Sequence, residues 1–115
     1  MAQQTWEEAF EAGFNTLITG LQARIDADFE KNGYQWKREV RFERLKKNIR
    51  VFYVDVWEGN REGSTSVICF VEPDTGAILK GSWKAPVKNG VRGHVVNGNN
   101  PLAAFTQRGE LAYLR

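Results

Sequence analysis

The chain has 115 residues, 42% of them hydrophobic and 26% charged, with a net charge of +2. That is the length of one domain, able to bury roughly two thirds of the surface its unfolded form exposes, and the composition excludes a long disordered tail. Apolar runs fall far short of the ~20 residues of a membrane helix, and the N-terminus is acidic where a secretory leader is basic. The sequence therefore reads as a single domain over residues 1–115, cytoplasmic and without a membrane segment.

Thr5-Trp6-Glu7-Glu8 has the form of a capping box, in which the threonine hydroxyl and the glutamate carboxylate can each satisfy a backbone donor at a helix start. From there Trp6, Phe10, Phe14, Leu17, Leu21, Ile25 and Phe29 recur every three or four residues, with Ile18 widening the stripe, which predicts a helix with one apolar face over about six turns. Asn32-Gly33 tolerates the left-handed conformation that ends such a helix. A helix this one-sided needs a surface to pack on.

Tyr34 to Leu45 supplies part of that surface. Tyr34, Trp36, Arg38, Val40 and Phe42 alternate with Gln35, Lys37, Glu39, Arg41 and Glu43, the period of a half-exposed strand. Lys46-Lys47-Asn48 suits a turn, and Ile49 to Trp57, rich in β-branched and aromatic residues on both faces, reads as a central strand. After the turn cluster Gly59 to Gly63, a third strand is expected over Ser64 to Glu72. Pro73-Asp74-Thr75-Gly76 is a tight turn leading to a fourth strand over Ala77 to Trp83. Pro86, Asn89-Gly90, Gly93 and Asn97 to Asn100 then punctuate a long loop, and Asn100-Pro101 starts a short helix over Leu102 to Gln107. The expected fold is α+β: a long N-terminal helix on a four-stranded antiparallel meander, with a long loop and a short C-terminal helix.

The chemistry of an enzyme is poorly represented. His94 is the only histidine and Cys69 the only cysteine, so a nucleophile with its base has little material and a zinc site has too few ligands. Cys69 sits among Val67, Ile68, Phe70 and Val71, as a small buried hydrophobe would. Asp55, Glu58, Glu72 and Asp74 are accounted for by turns, strand ends and ion pairing more simply than by a metal site. The glycines from 81 to 98 lack the lysine-serine/threonine end of a phosphate-binding loop. No cofactor is expected, and no enzymatic activity.

Charge is unevenly spread. Residues 1–30 carry six acids and one cation, whereas residues 31–115 carry fifteen cations and eight acids. Positive charge gathers in Lys37 to Arg50 and in Thr75 to Gly109, the second without an acid, which suits an anionic partner or simply a solvated basic face. Aromatic residues are interleaved with these cations, as single-stranded nucleic acid requires: cations for phosphates and flat side chains for bases. The candidate binding residues are Lys37, Arg38, Arg41, Trp83, Lys84, Lys88 and Arg92. Trp83, an indole in a segment of glycines, proline and lysines, suits either the core or a contact surface.

The run from Ser66 to Gly93, with Phe70-Val71, the Asp74-Thr75-Gly76 turn, Lys80, then Ser82-Trp83-Lys84-Ala85-Pro86-Val87-Lys88 and Arg92, resembles small, mostly uncharacterised proteins of tailed bacteriophages. The resemblance spans about residues 50–95. It implies a phage protein acting in the cytoplasm of an infected bacterium and brings no settled activity. Two expectations result: a non-enzymatic binder of single-stranded DNA or RNA, or an interaction factor that engages a host enzyme or a viral assembly. A homodimer is compatible with either.

Overall fold

The structure, a computed structural model, describes residues 5–59, 61–81, 86–96, 100–106 and 108–111, the side chains of 87–90 aside. One helix, α1 (Trp6–Asn32), is followed by β1 (Lys37–Arg44), β2 (Ile49–Trp57), β3 (Arg61–Val71), β4 (Ala77–Gly81) and β5 (Pro86–His94), then a 3-10 turn at Pro101–Ala104. The strands form one sheet in the order β1-β2-β3-β4-β5, each antiparallel to the next. The class is α+β.

Helix α1 begins where the capping signal predicts. The Thr5 side chain accepts from the Glu8 backbone N–H at 3.1 Å, and the same hydroxyl donates to the Glu8 carboxylate, so the glutamate meets the cap's side chain instead of a backbone donor. Gly33 closes the helix in the left-handed region, its N–H returning to the last turn. Phe10, Phe14, Leu17, Leu21 and Ile25 are buried against Ile49 and Val51 of β2, Cys69 and Val71 of β3 and Ile78 of β4. The register explains this set: Phe42 pairs with Val51, Val51 with Cys69, Ile49 with Val71 and Val71 with Ile78, so one face of four strands lies under the helix. The ends of the stripe are wetter. Trp6 is 42% exposed, its indole N–H donating to the Pro73 carbonyl at 2.9 Å, and Phe29 is half-buried. Burial pushes the Cys69 thiol far up, which keeps it protonated and inert.

The sheet has five strands, not four. The segment taken as a long loop forms β5 along β4, because β4 would otherwise leave a row of backbone donors and acceptors without partners. Pro86 is its first residue, a position where a missing N–H costs nothing in the ladder, and two register shifts, one passing over Arg92 and one over residues 87–90, accommodate the extra length of β5. The expected C-terminal helix is only four residues of 3-10 turn, capped by the Asn100 side chain on the Leu102 N–H. Strand bounds move too: β1 starts at Lys37, three residues after the alternation begins, and β3 extends back to Arg61.

The C-terminal segment crosses close over the helix. A Cβ on Gly13 would stand 1.8 Å from the Val95 carbonyl oxygen, so glycine is needed there, whereas one on Gly20 would stand 2.2 Å from Leu102 Cδ1, a side-chain end that would have to move aside. Arg24 fastens the segment by donating from one guanidinium nitrogen to the carbonyls of Leu102, Phe105 and Thr106.

Gln22 closes the outer edge of β1. Its amide accepts from the Val40 N–H and donates to the Arg38 carbonyl, both at 2.8 Å, imitating the peptide group of a further strand. An open edge invites pairing with another chain; here the helix occupies part of it.

Candidate nucleic-acid interface

The alternation in β1 sorts its residues onto two unlike faces. Arg38, Val40 and Phe42 lie on the helix side, and Phe42 meets Phe14 edge-on at 5.0 Å. Arg38 pairs in register with Asp55, and the two side chains form a bidentate ion pair, Nε to Oδ1 at 2.7 Å and Nη2 to Oδ2 at 3.2 Å. Asp55 is buried, and the guanidinium lies 3.8 Å from the Tyr53 ring centroid and 5.1 Å from that of Phe29. Burial alone would lower the Arg38 pKa; the Asp55 hydrogen bonds and neighbouring charges outweigh it and hold the group above its usual value. A cation whose guanidinium is already paired with a buried carboxylate and flanked by two rings is chiefly a structural element, and a phosphate would have to compete with Asp55 for it.

The other face of β1 is ionic and wet. Arg41 donates to Glu62 at 2.7 Å and to Glu39 at 3.2 Å, and the Glu62 hydrogen bond in particular raises its pKa. Arg50 pairs with Glu43 at 2.9 Å on this face, while Arg44, on the helix side like Arg38, reaches Glu11 of the helix at 2.8 Å. Of the candidates on β1, then, Arg38 and Arg41 are engaged with carboxylates, while Lys37 is exposed and in no ion pair among the described residues. Arg92 is half-exposed on β5, on the opposite edge of the sheet from β1. Lys88 belongs to β5 by its backbone, but its side chain, like Trp83 and Lys84, lies outside the described residues.

Where β1 begins, the fold assembles a feature the sequence did not disclose. Lys37 pairs with Val56, so the residues one step beyond, Trp36 and Trp57, come side by side. Their rings stack at 4.8 Å and 25°, and Tyr34 stacks on Trp36 at 4.8 Å and 28°. Trp36 is thus the middle of a three-ring ladder whose ends, Tyr34 and Trp57, are 40% and 41% exposed. Phe29 from the helix end braces it edge-on against both Tyr34 and Trp36. Gly63 makes room at the other end, since a Cβ there would come 2.8 Å from the Trp57 indole nitrogen. Lys37 and Arg61 flank the ladder, both exposed and neither in an ion pair among the described residues.

Trp57 and Arg61 were not among the sequence candidates. Trp57 stands in a strand apolar on both faces, which reads as interior; its place as the last residue before the Glu58-Gly59 turn was the available signal that it emerges from the sheet.

No protein-family model, curated protein or solved structure matches the chain. Among the described residues no helix is long and apolar enough to cross a membrane, and no group of three or more histidines, cysteines or carboxylates is placed to hold a metal ion.

Proposed function

We propose that the chain binds single-stranded nucleic acid without chemical turnover, with the Tyr34-Trp36-Trp57 ladder as its stacking platform. The observation that carries this reading is the exposure of both ends of a pre-stacked aromatic column beside two exposed cations, Lys37 and Arg61, that are in no ion pair among the described residues. An unpaired base has a flat face to continue such a column, whereas a duplex keeps its bases stacked on one another. Lys37 and Arg61 would meet the phosphates on either side. The resemblance of residues 50–95 to small bacteriophage proteins would set this binding in the cytoplasm of an infected bacterium. A protein-interaction factor is the second reading, favoured by the carboxylates that neutralise Arg38, Arg41 and Arg50 across the sheet.

Titration of tryptophan fluorescence with short single-stranded and duplex DNA and RNA, at several salt concentrations, tests the proposal. Single strands should bind more tightly than duplexes, with log affinity falling linearly in log salt. Trp57→Ala should weaken binding by ~1 to 3 kcal/mol, one lost base stack, while thermal melting of the same variant reports any cost to the fold. Changing Lys37 and Arg61 together to Gln should lower the salt slope by roughly 0.7 per lost phosphate contact. Salt-independent binding, or an unchanged slope in that variant, would remove nucleic acid in favour of a protein partner.

A further inference from the structure

Beside the ladder, between the end of α1 and the start of β1, lies a groove of about 350 Å³ lined by Asp26, Phe29, Glu30, Gly33, Tyr34, Trp36 and Lys37. Its chemistry differs from that of a phosphate site. Asp26 and Glu30 are one helical turn apart and both exposed, so they present two carboxylates to the same space. Asp26 accepts one hydrogen bond, from Gln22 at 3.0 Å, and Glu30 is in no side-chain hydrogen bond or ion pair among the described residues. Gly33 is the C-cap, so the negative end of the helix dipole points at the groove as well. The walls are rings: Phe29, Tyr34 and Trp36. The same Phe29 ring already lies under one guanidinium, that of Arg38 at 5.1 Å.

We infer that this groove receives an arginine side chain of a partner protein. A guanidinium is flat, stacks on aromatic faces and offers donors to two carboxylates at once, which a compact ammonium does less well. Five of the seven lining residues are exposed, so the groove is open to a side chain presented from another surface instead of enclosing a free small molecule. Lys37 is the one cation in the lining and opposes the ligand. The inference does not rest on the nucleic-acid reading, and Lys37 separates the two: it should help a phosphate and hinder an arginine.

The experiment is an amide and indole NMR titration of the full chain with N-acetyl-Gly-Arg-Gly amide, its lysine counterpart and guanidinium chloride at matched ionic strength. Saturable shifts at the Gly33 amide and the Trp36 indole are expected with the arginine peptide, with weaker binding of the lysine peptide and weaker still of guanidinium. Glu30→Gln should weaken arginine-peptide binding about three- to five-fold, the scale of one exposed charge contact, and Lys37→Gln should strengthen it. No saturable shift, or equal affinity in an Asp26→Asn/Glu30→Gln variant, would overturn the site. Guanidinium binding as tightly as the peptide would overturn the protein partner in favour of a free cation. A variant series in which Lys37→Gln weakens the peptide would overturn the electrostatic argument. Failure of the nucleic-acid reading would show only in the oligonucleotide titration.

Discussion

Arg38 and Arg41 are three residues apart on one strand, and each has carboxylate partners, yet they do different work. Arg38 faces the helix, where Phe29 and Tyr53 flank the guanidinium and Asp55 is buried, so its ion pair is partly shielded from solvent. Arg41 faces outward, where Glu39 and Glu62 compete with solvent and salt. The same pair of charges binds firmly in one place and loosely in the other, since burial both strengthens attraction and raises the penalty for losing a partner. Around β1 the inner face fixes the fold and the outer face sets the surface charge; farther along the sheet the outer face buries a smaller cluster of its own, Phe70, Ala77 and Leu79.

The comparison can be tested, starting from the inner face. Leu17, on the inner face of the helix, is fully buried, and Leu17→Ala should cost ~2 to 5 kcal/mol by denaturant unfolding, the usual range for a cavity left in a core. Unchanged unfolding would mean that the stripe is not packed on the sheet. Cys69 should stay unreactive to thiol reagents in the native protein and react only on unfolding, so its labelling rate offers an independent gauge of the same core.

Asp55→Ala strands Arg38 between two rings without its carboxylate. A loss near ~3 kcal/mol is expected, the low end for breaking a buried pair, because the Arg38 side chain keeps 23% exposure. The double change Asp55→Ala with Arg38→Met should recover part of it, and a double variant no more stable than the single one would show that the penalty is not an uncompensated charge.

Gln22→Ala frees the Val40 N–H and the Arg38 carbonyl at the β1 edge. About 1 kcal/mol should be lost, the net scale of such hydrogen bonds, and sedimentation should show more self-association than in the parent as the edge opens. Equal sedimentation would place edge protection in the charges of β1 instead. At the bottom of the scale, Glu62→Gln should leave the melting temperature unchanged within error at physiological salt, since exposed pairs contribute little; a clear drop would erase the distinction between the two faces.

Much of this architecture was legible in the chain. The helix follows from a 3.6-residue stripe with a threonine cap and a terminal glycine, and β1 and β2 from alternation and β-branched content, all of them signals carried by neighbours in sequence. Strand β5 was not legible, because Asn89, Gly90 and Gly93 have poor strand propensity and the strand is held by pairing of Pro86, Val91, Gly93 and His94 with β4. Gly13 and Gly20, on the predicted helix, were the trace of a crossing segment, but nothing local says what crosses. Among the candidate site residues, side-chain type alone could not separate Lys37 from Arg38, although one is free of ion pairs among the described residues and the other is locked to Asp55.

By itself, then, the sequence determined the helix, its caps, the antiparallel order of the first four strands and the uneven charge, because each depends on residues a few positions apart. Only the tertiary structure decided that Tyr34, Trp36 and Trp57 stack, that Arg38 is enclosed, that Gln22 closes an edge and that Asp26 and Glu30 share a groove with three rings. Those arrangements join residues from different elements, and their energies depend on register, desolvation and ring geometry, which exist only once the strands are paired and the helix is laid across them.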